Sequence, residues 1–351
     1  MKKKNQPTRR SILAGAAAST VLMSTGCVNQ RSGLNPLLAT ADMVFRLFIA
    51  QHLDTYALHF LPRLVATVIP LLLTNRAYAV LALTIAATIL KRNAATPDPV
   101  RIYMTLDDNT MVMLNPENGA VLARIPLGQQ PTLIAASPNG DFLAISNALS
   151  HTVSIVNTAD NRVSKTIPLE AGSSPYGVAI NGEGTHVYVV NEAKNSISVL
   201  DVAAGQISAT INAPGSPSKI AMSPDYSLLW APAANGTIYV IDTLSNTVST
   251  TITGIERPVA VAFNPTGTKA YVTSAPTGRA GTVAVVDTAT YAVLTRIPVG
   301  TNPYSIVLSA GGTRAFVSNF DSNNVSVIDT TTDQVATTLT TGKSPIEVAV
   351  I

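Results

Sequence analysis

Residues 175–211 read Pro175-Tyr-Gly-Val-Ala-Ile180, Asn181-Gly-Glu-Gly184, His186-Val-Tyr-Val-Val-Asn191, Ser196-Ile-Ser-Val-Leu-Asp201 and Gln206-Ile-Ser-Ala-Thr-Ile211. Four short runs alternate in period two and favour β-branched residues, which suits half-buried strands. The links between them hold Gly and Asn, residues that turn tightly because they accept positive φ. The stretch therefore reads as four antiparallel strands joined by hairpins.

The same unit recurs from residue 100 onward. A proline returns at Pro131, Pro175, Pro217, Pro258, Pro303 and Pro345, at gaps of 44, 42, 41, 45 and 42. A second marker, Asn115, Asn157, Asp201, Asp242, Asp287 and Asp329, has gaps of 42, 44, 41, 45 and 42. Two markers with one rhythm imply repeated four-stranded blades, because that period belongs to propellers and solenoids. Arg101-Ile-Tyr-Met begins like a second strand, and Ile346-Glu-Val-Ala-Val-Ile351 reads like a first strand. The expected architecture is all-β: a six-bladed β-propeller at 100–351, with its C-terminal strand closing the first blade. Closure would pair two otherwise open sheet edges.

The second strands His186-Val-Tyr-Val-Val-Asn191, Lys269-Ala-Tyr-Val-Thr-Ser274 and Arg314-Ala-Phe-Val-Ser-Asn319 carry a resemblance. So do the third-strand ends Tyr239-Val-Ile-Asp-Thr243 and Ser326-Val-Ile-Asp-Thr330. They resemble the YVTN β-propeller repeat of exported and surface proteins. The resemblance implies the fold across about 100–351. It implies no single activity, since such relatives include surface-layer proteins, sugar lactonases and haem-carrying redox enzymes.

The N-terminus reads as an address. Lys2 to Lys4 and Arg9-Arg10 precede a short run of small and apolar residues that ends at Cys27. A charged start, an apolar stretch and a small-residue cleavage zone describe a signal peptide over 1–27. Thr8-Arg9-Arg10-Ser11-Ile12-Leu13 resembles a twin-arginine export signal, with Ile12 in the aromatic position. Ser24-Thr25-Gly26-Cys27 resembles a lipoprotein cleavage site, with Cys27 as the lipidated residue. Residues 34–93 are apolar with a polar stripe at helical spacing, so a short α-helical segment is expected there. Its cleaner runs, broken by Pro70 and by Asn75-Arg76, fall short of the ~20 residues that span a bilayer. Residues 94–99, with Pro97 and Pro99, form the linker.

Charge is divided along the chain. Residues 1–99 hold 11 Lys and Arg against 3 Asp and Glu, whereas 100–351 hold 12 against 17. The acidic repeat region argues against a nucleic-acid partner, which needs a basic face. The single cysteine excludes an intrachain disulfide and a Cys-based metal site. No metal motif and no nucleophile motif is present, and the residues name no cofactor.

Blade geometry places candidate site residues on one face. The residues before each proline, Gln130, Ser174, Ser216, Arg257, Asn302 and Ser344, should ring the channel mouth. The links between second and third strands should add Asp107, Asp108, Asn147, His151, Asn191, Glu192, Asn319 and Asp321. His151 aligns with Asn109, Asn195, Gly236, Gly281 and Asn323, so a turn role is expected rather than that of a base. The expected function is an exported, lipid-anchored binding scaffold of the cell envelope, periplasmic or on the surface. Its partner would be an envelope protein or a glycan, with membrane association through the lipid or residues 34–93. The alternative is a lactonase-like propeller enzyme or an accessory redox subunit.

Overall fold

A computed structural model describes residues 86–88, 101–342 and 344–346. Among them are six sheets, each of four antiparallel strands in sequence order. Blade 1 holds β1 (Ala86–Thr88), β2 (Arg101–Thr105), β3 (Thr110–Leu114) and β4 (Val121–Pro126). Blade 2 holds β5 (Pro131–Ala136), β6 (Phe142–Asn147), β7 (Thr152–Asn157) and β8 (Arg162–Pro168). Blade 3 holds β9 (Pro175–Ile180), β10 (His186–Asn191), β11 (Ser196–Asp201) and β12 (Gln206–Asn212). Blade 4 holds β13 (Ala221–Met222), β14 (Leu228–Pro232), β15 (Ile238–Asp242) and β16 (Thr247–Ile252). Blade 5 holds β17 (Pro258–Phe263), β18 (Lys269–Ser274), β19 (Ala280–Asp287) and β20 (Val293–Thr301). Blade 6 holds β21 (Pro303–Leu308), β22 (Arg314–Asn319), β23 (Asn324–Asp329) and β24 (Gln334–Thr340).

The repeat count and the strand order match the sequence reading. The partner of β2 does not. The place expected for 346–351 is taken by β1, with Ala86 opposite Tyr103 and Thr88 opposite Arg101. Residues 86–88 thus correct the expected C-terminal closing strand, and these three residues of the 34–93 segment are extended. Thr84-Ile-Ala-Ala-Thr-Ile89 carries four β-branched residues and can serve an open edge as well as a helix. The C-terminal chain still enters as a first strand would. Ser318 Oγ donates to the Ile346 carbonyl at 3.0 Å, as Ser146 Oγ donates to the Tyr176 carbonyl at 2.6 Å. Residues 347–351, the signal peptide with Cys27, the rest of 34–93 and the 94–99 linker lie outside the described residues.

Most of the core lies between blades, and a smaller cluster of Ile102, Met104, Val112 and Leu114 lies within blade 1. One cluster joins blades 3 and 4 through Tyr188, Val190, Leu229 and Ile241. Others join 4 to 5, 2 to 3, 5 to 6 and 1 to 2. Each buried Val, Leu or Ile contributes roughly 1.5–3 kcal/mol against exposure. Neighbouring blades are also latched by hydrogen bonds. Tyr103 Oη donates to Asn161 Oδ1 and Tyr188 Oη to Asn246 Oδ1, both at 2.6 Å. Tyr271 Oη donates to Asp333 Oδ1 at 2.8 Å. Each acceptor sits at φ of 54–56° in the next blade's outer turn, where Asn and Asp tolerate left-handed backbone. One residue type therefore closes the turn and locks the interface.

Burial pushes the Tyr188 phenol up to about 12, helped by the carboxylates of Asp242 and Glu183. A phenol raised in the fold adds stability below its unfolded value near 10, and this is lost as pH rises through about 12. Urea unfolding of Tyr188→Phe should therefore show a flatter decline in stability between pH 9 and 12 than the parent. Parallel declines would refute the assignment.

The outer strands are protected against edge pairing. The ladder between third and fourth strands carries a bulge in every blade. In blades 2, 3 and 4 the bulged residue is a serine whose Oγ donates 3.0 Å to the partner strand: Ser164 to Ile155, Ser208 to Val199, Ser249 to Val240. A bulge twists the edge away from intruding strands.

Candidate functional site

The six residues before the prolines all adopt left-handed backbone. Their φ values are 54° (Gln130), 48° (Ser174), 55° (Ser216), 42° (Arg257), 54° (Asn302) and 47° (Ser344). At each, the chain turns inward to start the channel-lining strand. Their carbonyls accept from the adjoining tips: Ala148 N to Gln130, Glu192 N to Ser174, Ala234 N to Ser216, Ala275 N to Arg257 and Phe320 N to Asn302, at 2.8–3.3 Å. Tip and mouth are therefore one hydrogen-bonded layer.

A second set of bonds runs from each blade to the next connection. Asn109 Oδ1 accepts from Gln130 N at 2.8 Å, Asn195 Oδ1 from Ser216 N at 2.8 Å, and Asn323 Oδ1 from Ser344 N at 2.7 Å. His151 does the same work: its Nδ1 accepts from Ser174 N at 3.4 Å, at φ 54°. Acceptance at Nδ1 leaves Nε2 to carry the proton of the neutral ring. The turn role expected for His151 is what the structure has. Gly281 departs from the alignment. Blade 5 has a longer tip, so the positive φ moves to Gly278 (74°). Gly281 is needed for close approach instead, since a Cβ there would stand 2.3 Å from Pro303 Cδ.

Three of the expected face residues do not belong to the face. Asn147, Asn191 and Asn319 end their second strands at 0%, 3% and 0% exposure. They point inward, where Nδ2 reaches across to the neighbouring third strand. Asn147 Nδ2 reaches Ser154 Oγ at 3.0 Å, Asn191 Nδ2 reaches Ser198 Oγ at 2.8 Å, and Asn319 Nδ2 reaches Ser326 Oγ at 2.9 Å. Asp107, Asp108, Glu192 and Asp321 remain exposed tip residues. Partial desolvation holds the Glu192 carboxyl above the ordinary range.

Several charges on this face are paired locally. Asp108 accepts from Arg124 at 2.7 Å and Glu170 from Lys194 at 2.6 Å, while Arg279 binds Glu256. Arg257 Nη1 donates to Thr277 Oγ1 at 3.1 Å. Among the described residues, no group of three or more His, Cys, Asp or Glu is placed to hold a metal.

The centre of the channel holds residues that sequence reasoning missed. Tyr176 Oη and Tyr304 Oη meet at 2.6 Å. They are the second residues of β9 and β21, in blades 3 and 6, which face each other across a ring of six. Lys219 Nζ lies 4.4 Å from the Tyr304 ring centroid, and the residue is buried. Phe320 packs against Tyr304 with centroids 6.1 Å apart. Lys219 reaches inward because blade 4 begins irregularly. Only Ala221–Met222 form its first ladder, and Gly177 N donates 3.0 Å to the Ser218 carbonyl. Gly177 is required there, since a Cβ would stand 2.3 Å from that oxygen. The visible signal was a tyrosine after two prolines three repeats apart, which a six-fold ring makes diametrically opposite.

Fold and site together define a six-bladed β-propeller whose channel is stoppered by aromatic side chains beneath a polar mouth. No family model matches the chain, and no curated protein matches it. Among solved structures it is similar to Kuenenia stuttgartiensis hydrazine synthase, with a TM-score of 0.64 and 20% identity. That likeness covers 78% of this chain and 91% of the other. At this identity it speaks for the propeller fold alone.

Proposed function

We propose that the chain is an exported, lipid-anchored propeller of the YVTN repeat type that binds a protein or glycan of the cell envelope. The observation that carries this reading is the mouth itself. Six left-handed residues present five uncharged side chains and Arg257 on a hydrogen-bonded backbone, with Gln130, Ser174 and Ser216 held through both their N–H and their carbonyl. Rigid scaffolds with polar loops serve recognition, because little order is lost on binding. Asp108, Lys194, Glu256 and Arg279 are paired locally, while Asp107, Glu192 and Asp321 stay exposed on the same face and open to a partner. The signal-like start and Cys27 supply the address and the anchor.

The enzyme alternative needs Arg257, Asp107 or Asp108, and His151 to act together. Asp108 is engaged by Arg124, His151 by Ser174 and Arg257 by Thr277, each in its own blade region. These separate commitments support recognition over acid–base chemistry, which needs groups in hydrogen-bond reach of one substrate. The test is affinity capture with the full-length, detergent-extracted protein and with an Arg257→Ala/Asn302→Ala variant of unchanged thermal stability. One dominant partner lost at least tenfold in the variant is the expected result. Equal capture by both proteins, or a reaction on a small substrate lost with these residues, would overturn it.

A further inference from the structure

Three buried amides share one unsolved atom. The Oδ1 atoms of Asn147, Asn191 and Asn319 are buried and accept no hydrogen bond within the protein. Their Nδ2 groups are fully used. Besides the third-strand serines, Asn147 Nδ2 reaches Thr152 Oγ1 at 3.1 Å, Asn191 Nδ2 reaches Ser196 Oγ at 3.1 Å, and Asn319 Nδ2 reaches Asn324 Oδ1 at 2.7 Å. Rotating the amide by half a turn does not remove the problem. It would put Oδ1 against hydroxyls at Asn147 and Asn191, set it against the Asn324 amide oxygen at Asn319, and leave Nδ2 orphaned in the same place. An occupant must donate to Oδ1, or accept from Nδ2 if the amide is turned, and a molecule able to do either fits both orientations.

The protein has closed off the direct solutions. Gly128, in the loop after β4, and Gly300, near the end of β20, lie over two of these amides. A Cβ would come within 2.8 Å of Asn147 Cγ or 2.7 Å of Asn319 Cγ. A buried amide oxygen without a partner keeps its full desolvation penalty, so three equivalent ones would weigh heavily on one domain. Blade 5 shows the contrast. Ser274 stands at the equivalent position, and its Oγ donates directly to the Glu256 carbonyl in the mouth loop. The shorter side chain makes the loop contact itself. In blade 3 the loop adds a second orphan, the Ser173 hydroxyl, at 0% exposure.

The geometry points to three internal water sites, in blades 2, 3 and 6, each with a single water that donates to Asn Oδ1 and bridges the second strand to the mouth loop. Water is the small neutral molecule that donates and accepts at once and satisfies buried groups of this kind. A charged ligand is disfavoured, since no charged side chain bonds to these amides. The sites lie beneath Gln130, Ser174 and Asn302 and would hold those loops in place.

Two measurements test this on the full chain. A crystal structure fine enough to place ordered solvent should show density within hydrogen-bond distance of all three Oδ1 atoms and none at Ser274. Oxygen-17 relaxation dispersion, which counts long-lived internal waters, should fall by three in the Asn147→Ser/Asn191→Ser/Asn319→Ser variant. Single Ser variants, each copying the chemistry of blade 5, should each lose one and guard against misfolding of the triple. A protein donor seated on Oδ1, empty density at the three sites, or an unchanged water count in folded variants would overturn the inference.

Discussion

Trp230→Ala should cost about 3–5 kcal/mol in chemical denaturation, the range for truncating a large buried aromatic. Trp230 is fully buried between blades 4 and 5. It packs edge-on to Phe263 at 5.2 Å and 76°, and against Tyr291 at 5.9 Å. Such aromatic contacts add about 0.5–1.5 kcal/mol beyond area. Trp230→Phe should cost far less than its volume suggests. The indole Nε1 is buried without a partner, and phenylalanine removes that orphan donor. The chain has one tryptophan, so its fluorescence reports on this interface directly. Equal losses for the Ala and Phe variants would contradict this account of the packing.

Asp333→Ala should cost about 3 kcal/mol, near the lower end for breaking a partly buried charge network. Asp333 accepts from Lys269 Nζ at 2.7 Å and from Tyr271 Oη at 2.8 Å, so one carboxylate holds two groups of blade 5 from blade 6. It also sits at φ 54°, which alanine tolerates poorly. Asp333→Asn keeps the turn and the tyrosine bond and loses only the ion pair, so a cost of about 1 kcal/mol is expected. The ion pair is half-open, with side-chain exposures of 32% for Lys269 and 16% for Asp333, so salt should weaken it modestly. Denaturation curves for the two variants at low and high salt decide the matter. An alanine variant as stable as the asparagine variant would show that the latch carries no weight.

Much of this molecule is legible from residue order. In blades 2, 3, 5 and 6 the recurring proline marks where the first strand starts, because a left-handed residue before it turns the backbone inward. The Asn and His151 of the hairpin tips were readable as turn residues from their shared position. The buried second-strand asparagines were not. Period two says that Asn147 and Asn191 alternate with their neighbours, but the strand end leaves open whether the last residue faces loop or core. Only the third-strand hydroxyls, arriving from the far side of the ladder, turn those amides inward.

Local chemistry alone dictated the six β units, their hairpins and their acidic surface, because alternation and turn propensity act over a few neighbouring residues. Which segment lies beside Arg101–Thr105 was settled by the assembled ring, since Ala86–Thr88 and the C-terminal stretch both carry residues suited to an open edge. The meeting of Tyr176, Lys219 and Tyr304 on the axis likewise has no local cause. It arises because six twisted sheets bring residues dozens of positions apart to one centre.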